Sequence, residues 1–517
     1  MIHLDGASLT LDELARIAYQ REPVALRPEA VAAVRRSRAV VDAHAARGTP
    51  TYGVNTGFGA LADVTIPHDQ LAELQLNLIR SHAAGVDAPL AVPAVRALMA
   101  LRANVLAKGF SGIRLETLEA LVGLLNAGVH PVVPSRGSVG ASGDLAPLAH
   151  LALVLVGEGA VLVDTTSEVD VTDRTTAGST AEVAPVLARA GLKPVTLAAK
   201  EGLALINGTQ ASAAVLALAV LAADRLARTA DIAAAMSVDA LRGSFHPFEA
   251  RLHAVRPVPG QVASAANLCR LGQDSAINAS HANCGRIQDA YALRCAPQVH
   301  GATREGLAFA RRLVEIEANA ATDNPMVFAD PGDIVSGGNF HGAPIALAAD
   351  TLAIAVAQLA TISERRTDRL MSPAASELAA FLSPHAGLHS GLMLAQVTAA
   401  ALVAEIKTLA HPAAVDTIPT SAGREDHVSM SMGAALKAAR AVDLLTGVIA
   451  IEILAACQAL DLLAPLATSP PLERVRQAVR RRVPTLGADR PPAPDITAVR
   501  ALVEHGDVLA ACNLNLH

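Results

Sequence analysis

The chain has 517 residues, of which 52% are hydrophobic but only 2% aromatic, and it has no tryptophan. That length exceeds what one core usually serves, and an apolar mass of Ala, Leu and Val, the first two being strong helix formers, predicts an all-α (mainly α) protein of two or three packed regions. A net charge of -6 with interspersed signs leaves no basic stripe and no acidic tail, which excludes nucleic acid and points to a small-molecule partner.

The N-terminus, Met1-Ile2-His3-Leu4-Asp5, lacks the basic head and apolar run of a signal peptide. Five scattered cysteines, Cys269, Cys284, Cys295, Cys457 and Cys512, never form Cys-x-x-Cys, so neither a disulfide framework nor a zinc site is expected. A cytoplasmic location is the expectation. Leu11, Leu14, Ile17 and Ala18 after Thr10 carry helical spacing, and the entry segment ends in the turn-like Arg47-Gly48-Thr49-Pro50. Over residues 52–143 loop motifs alternate with helices, notably at 67–85 and 92–108. Residues 161–183, enriched in Thr, Asp and Ser with short Val-rich pieces, read as a hairpin or excursion with a mobile tip. The uncharged stretch 202–223 is long enough for a membrane span. It contains Asn207, Gly208, Thr209 and Gln210 and runs into Asp224 and Arg225, so a buried core helix is the expectation, with no membrane partner. Long Ala/Leu helices are predicted at 211–236, 342–366, 388–409 and 433–463. Their apolar faces at 346–360 and 444–463 exceed what each helix needs for its own packing, which implies oligomerisation. The domains expected are a loop-rich N-terminal catalytic region with minor β structure (1–200), a central long-helix bundle (201–465) and a C-terminal helical cap (466–517).

The most informative run is 137–147, Gly-Ser-Val-Gly-Ala-Ser-Gly-Asp-Leu-Ala-Pro. It reads as a turn, as an anion cradle, or as a backbone able to cyclise. The P-loop template fails, since no Gly-Lys-Ser/Thr follows. For cyclisation, Gly143 offers an amide nitrogen without a Cβ in the way, Ala141 a carbonyl carbon, and Ser142 a hydroxyl that leaves as water. The product is a methylidene imidazolone, an electrophile no side chain provides.

Other polar motifs are spread along the chain. Tyr52, one of only three tyrosines, lies in Thr-Tyr-Gly-Val-Asn-Thr-Gly-Phe-Gly, where its hydroxyl can act as acid or base or simply be structural. His82 in Ser81-His82-Ala83-Ala84-Gly85 ends a helical stretch with space around its ring. Gln288-Asp289-Ala290-Tyr291-Ala292-Leu293-Arg294 combines an amide, a phenol and a guanidinium. Arg294 suits a bidentate grip on a carboxylate, the alternative being an ion pair with a nearby acid. Phe340 lies in Ser336-Gly337-Gly338-Asn339-Phe340-His341-Gly342. Glu425, in Thr420-Ser421-Ala422-Gly423-Arg424-Glu425-Asp426-His427, either holds a cationic or hydrogen-bonding group or caps the following helix. His385 and His389 have no Glu after His385 and Gly387 between them, so a zinc-protease reading fails.

Together these motifs strongly resemble the aromatic amino acid ammonia-lyases from about residue 52 into the 490s, and their histidine branch above all. The signature is Gly140-Ala141-Ser142-Gly143-Asp144-Leu145-Ala146-Pro147. The resemblance implies that Ala141-Ser142-Gly143 matures autocatalytically to MIO (4-methylidene-imidazole-5-one), with no external cofactor and no metal. Ser81-His82 and Glu425 look like the histidine enzymes, implying elimination of ammonia from L-histidine to give trans-urocanate, the first step of histidine degradation. Tyr52, Asn207, Gln288, Tyr291, Arg294 and Phe340 fall on matching motifs. The roles implied are Tyr52 as base for the β-proton, Arg294 on the carboxylate, and His82 and Glu425 on the imidazole, with Asn207, Gln288 and Tyr291 around the ring. Tyr52 needs its reference pKa near 10 offset to act as a base at pH 7, with the ring site and Arg294 as the expected source. The family's fold is almost wholly helical, and its sites are shared between subunits of a homotetramer. Ile406, Ala343 and the 161–183 stretch depart from the family pattern.

Overall fold

The structure, a computed structural model, describes residues 1–48, 50–163, 180–282 and 284–517. Helices dominate, and the strands are short and confined to small sheets, as the composition predicts. Two compact units emerge, each assembled from three separate stretches of chain. The first comprises Met1–Leu218, Arg311–Ala349 and Pro412–Leu436, the second Ala219–Ala310, Asp350–His411 and Lys437–His517.

In the first unit the helix Leu11–Tyr19 opens on a capping box, Thr10 accepting from the Glu13 amide while the Glu13 carboxylate reaches back to Thr10. It packs on Val92–Ala107. From Val95 onward that helix is buried on every side, including Arg96, Arg102 and Asn104. A helix so enclosed keeps charge only where each group finds a partner; Arg96 bonds the Ile17 and Leu125 carbonyls at 2.8 and 3.1 Å. Among the described residues four small sheets trim the unit, one of them antiparallel His130–Pro131, Ala160–Leu162 and Thr180–Glu182. The last two strands are the base of the predicted 161–183 hairpin. The tip, residues 164–179, lies outside the described residues.

Three helices of this unit, Leu71–His82, Leu145–Leu155 and Glu201–Ile206, pack against one another pairwise. The first ends at His82, the second starts just after Asp144, and the third ends just before Asn207. Pro147 in the first turn of Leu145–Leu155 removes an amide that has no helical partner there anyway.

The predicted continuous helix over 202–223 is instead two. Glu201–Ile206 stops at Asn207, whose φ/ψ of -92/113 is extended, and Gly208 at φ 149 turns the chain before Gln210–Ala240 begins. The helix predicted from 388 starts later, as Met393–Leu409, because residue 391, a glycine at φ 59, holds a turn in front of it.

The second unit holds most of the long-helix mass and a buried polar network. Arg366 donates to Glu452 at 2.5 and 3.0 Å, both fully buried, and Glu452 also accepts from Ser237 at 2.8 Å and Ser363 at 2.5 Å. His300 and Arg304 share Asp231, each at 2.7 Å. Such charges survive burial only because each carboxylate oxygen is met by a donor. The C-terminal helices Pro470–Arg480, Pro492–His505 and Asp507–Cys512 pack on one another here.

Among the described residues three helices, Gln210–Ala240, Ala343–Met371 and Ser431–Leu462, are long and apolar enough by length and composition to cross a membrane. Their apolar windows are 78%, 72% and 94% buried inside the protein, which accounts for their hydrophobicity as core.

Candidate active site

The Ala141-Ser142-Gly143 segment is clamped at both ends. Upstream, the Met430 amide donates to the Val139 carbonyl at 2.8 Å and the Ser429 hydroxyl to the Gly140 carbonyl at 3.0 Å. Downstream, Gly143 pairs with Gly208, and the Asp144 amide donates to the Gly208 carbonyl at 2.7 Å. Gly143 sits at φ 71, and a Cβ built there would overlap the Gly208 backbone. Only glycine satisfies both demands. A bare, turned amide at 143 beside a hydroxyl at 142 suits the ring closure that the sequence motif implies, so the residues present fit the MIO precursor.

The Asp144 carboxylate, fully buried, accepts from the Ser138 hydroxyl at 2.9 Å and from the Ser212 amide and hydroxyl at 2.7 and 2.8 Å. Burial pushes its pKa up against the pull of those donors. Glu317, which takes the Thr209 hydroxyl, is pushed up by burial as well, Asp144 adding to the effect.

Ser142 donates its hydroxyl to Asn207 Oδ1 at 2.8 Å. Asn207 Nδ2 in turn donates to Asp323 Oδ1 at 3.2 Å and to the Asn324 carbonyl at 3.0 Å. Arg102, wholly buried, donates to the Ala204 carbonyl, to the Asn207 carbonyl at 2.9 Å and to Gln210 Oε1 at 2.6 Å. It thereby closes the C-terminal carbonyls of Glu201–Ile206, and burial drops its pKa to about 10.

The Tyr52 loop lies on this frame through Gly53, at φ 77, whose missing Cβ would press on Leu203 and Pro325. Tyr52 meets Phe58 edge to face at 6.2 Å, and its hydroxyl oxygen accepts from the Gly59 amide at 3.5 Å. Burial raises the phenol pKa, the Gly59 amide works against that, and the Glu425 carboxylate raises it further. These neighbours keep the phenol protonated, the opposite of the offset the sequence reading calls for.

Glu425 is bridged to Thr420, whose hydroxyl donates to its carboxylate at 2.6 Å. The helix after it begins only at Ser431, so Glu425 is no helix cap. His82 places Nδ1 at 2.8 Å from the Leu78 carbonyl. Since a carbonyl only accepts, Nδ1 is the donor in that contact, and a ring with its single proton on Nδ1 offers Nε2 as an acceptor. Phe340, half-buried, lies in a loop tied to the same frame by Gly337 N donating to Asn324 Oδ1 at 2.8 Å, and His341 stacks on His427 at 5.8 Å.

The structure therefore brings Tyr52, His82, Ala141, Ser142, Gly143, Asn207, Phe340 and Glu425 into the first unit, and places Gln288, Tyr291 and Arg294 in the second. There Arg294 lies 4.6 Å over the Tyr291 ring and its Nε donates to the Asp289 carbonyl at 2.9 Å. That contact is to backbone, not to the acidic side chain offered as the alternative partner. Tyr291 is 71% exposed. Sequence reading did not single out Arg102, Lys200 or Asp323. Their only signal is that Lys200, paired in sequence with Glu201, and Arg102 are charges bordering long apolar runs. Among the described residues no cluster of acids, His and Cys is arranged to hold a metal.

Residues 9–481 match the family model for aromatic amino acid lyase. Histidine ammonia-lyase of Myxococcus xanthus is 54% identical over 510 residues, covering 99% of this chain and 98% of its own. Histidine ammonia-lyase of Anaeromyxobacter sp. is 55% identical over 505 residues, with 97% and 98% covered. Among solved structures, histidine ammonia-lyase from Trypanosoma cruzi superposes with a TM-score of 0.90 at 46% identity over 99% of this chain and 94% of that one. Tyrosine aminomutase from Streptomyces globisporus gives 0.93 at 38% identity, with 100% of both covered. By the length of the matched segment and by these identities, the chain belongs to the aromatic amino acid lyase family.

Proposed function

We propose that this protein eliminates ammonia from L-histidine, giving trans-urocanate. The observation that carries the reading is the clamped Ala141-Ser142-Gly143 segment with its hydroxyl on Asn207; the identity to the named histidine ammonia-lyases supports the choice of substrate. MIO formed from these three residues supplies the electrophile that makes the amine a leaving group, so no external cofactor enters.

The chain's own side chains do the rest. Asn207 Oδ1 is an acceptor aimed at the reacting segment, and suits an amine N–H. Tyr52 is the β-proton acceptor in this proposal. Burial and Glu425 disfavour its phenolate in the free site, and an ammonium arriving with the substrate acts in the opposite sense. Nε2 of His82 and the Glu425 carboxylate are the two acceptors for an imidazole N–H, while Phe340 packs on the ring. Arg294, stacked on Tyr291, keeps its Nη groups for the carboxylate, and Gln288 lies beside it in sequence.

The assembly proposed is a homotetramer in the cytoplasm with sites completed between copies. Its support is exposed apolar surface in the second unit: Ile287 is 96% exposed, and a largely apolar cavity of about 590 Å³ is lined by Tyr291, Val299, Ile354, Ala357 and Ile362.

Incubation with L-histidine, L-tyrosine and L-phenylalanine, followed by ultraviolet absorption of the conjugated product, tests the substrate. Turnover of histidine is expected; turnover of tyrosine alone would overturn the assignment. Ser142→Ala should abolish turnover with folding retained, and should lack the loss of two waters that the wild-type intact mass shows.

A further inference from the structure

The Lys200–Asp323 pair is enclosed, at 0% and 1% side-chain exposure, and the chemistry above does not use it. Lys200 stands at φ 68, where a Cβ strains the backbone and glycine would be the relaxed choice. It also immediately precedes Glu201–Ile206, the helix that ends at Asn207. A lysine held in such a conformation and stripped of water is there for its ammonium group.

Asp323 joins that ammonium to the site. Its Oδ2 receives Lys200 Nζ at 3.1 Å, and its Oδ1 receives Asn207 Nδ2 at 3.2 Å and the Asn324 amide at 2.7 Å. All three neighbours are donors, and a carboxylate accepts on both oxygens. The Asn207 amide has two orientations of nearly equal shape. With Asp323 Oδ1 and the Asn324 carbonyl both acceptors on one side, only the orientation that turns Oδ1 to Ser142 avoids setting oxygen against oxygen.

We propose that Lys200 and Asp323 are positioning residues that lock the Asn207 amide with its oxygen toward Ser142, and so set the polarity in which the Ala141-Ser142-Gly143 segment matures and meets an amine. The inference rests on reading that segment as the ring precursor. Turned over, the amide would present N–H to the Ser142 hydroxyl and could accept nothing from a substrate amine.

Asp323→Asn separates this role from simple stability. An introduced amide at 323 has a single acceptor. Turned to Lys200, it shows its NH₂ to Asn207 Nδ2 and to the Asn324 amide, so the Asn207 amide meets a donor in its native orientation and the Asn324 carbonyl oxygen when flipped, and is no longer locked; turned to Asn207, it sets NH₂ against an ammonium. Lys200→Met removes the competitor, so the double variant regains the native orientation, and Lys200→Gln keeps a neutral donor for Asp323.

The readout is intact mass of the purified, folded protein, in which maturation appears as the loss of two waters, backed by the pH-independent amplitude of the ring's ultraviolet absorption. Asp323→Asn is expected to lower the matured fraction about tenfold, the order of one buried polar mismatch. The Asp323→Asn/Lys200→Met double variant and Lys200→Gln are expected to mature like the wild type. Full maturation of Asp323→Asn, or a folded double variant as immature as the single, would overturn the proposal. If Asp323→Asn does not fold, the other two variants decide: mature rings in both support it, and an unmatured mass in either overturns it. An unshifted wild-type mass would instead sink the ring reading itself, and this inference with it.

Discussion

At residue 143 two independent demands converge on glycine, a left-handed φ of 71 and a backbone carbonyl where a Cβ would stand. Gly143→Ala should therefore cost about 1 to 3 kcal/mol through backbone strain alone, before the overlap with Gly208 is counted. Chemical denaturation would read that loss, and intact mass should show no ring. Tyr52 and Glu425 make a second residue-scale prediction. A carboxylate that raises the phenol pKa delays the phenolate, so Glu425→Gln should move the rising limb of the kcat/KM profile, which formation of the Tyr52 base sets, to lower pH. An unmoved limb would show that Tyr52 does not titrate in the step observed. At this scale much of the site is legible in the residues themselves: Ser142, Tyr52, His82 and Glu425 each carry chemistry in a short, specific motif. Asp323 is not legible, because a carboxylate reveals its purpose only through the donors around it.

Among elements, the three mutually packed helices Leu71–His82, Leu145–Leu155 and Glu201–Ile206 matter most, since the candidate residues stand at their ends. Helix ends leave unpaired backbone groups, and here a buried guanidinium takes those of Glu201–Ile206. Arg102→Met should strand the Ala204 and Asn207 carbonyls and lower stability by about 3 kcal/mol, seen as an earlier denaturation midpoint. Turnover should fall with it if the Asn207 position depends on that cap. Helix periodicity predicted most of the long helices to within a few residues. It failed at 202–223, where an apolar, uncharged run reads as continuous while Asn207 and Gly208 take non-helical backbone. Ile406, one of the departures from the family pattern, is fully buried in Met393–Leu409, where an apolar side chain suits its surroundings.

For the whole molecule, the candidate residues divide between two compact units, each gathered from three separate stretches of chain. If sites are completed between copies, co-expressing Ser142→Ala with Arg294→Lys, each inactive alone, should restore part of the activity in mixed oligomers. No recovery would place each site within one copy. Sedimentation should give the mass of four chains. The sequence by itself determined the helical class, the reactive Ala141-Ser142-Gly143 segment and the family, because composition, helical period and a contiguous motif are local properties of the chain. The tertiary structure alone decided what each of these groups touches: the Asp323–Asn207–Ser142 chain of hydrogen bonds, the Gly143–Gly208 approach and the Glu425 field at Tyr52 join residues far apart in sequence, and such contacts exist only once burial has removed the water that would otherwise satisfy each group.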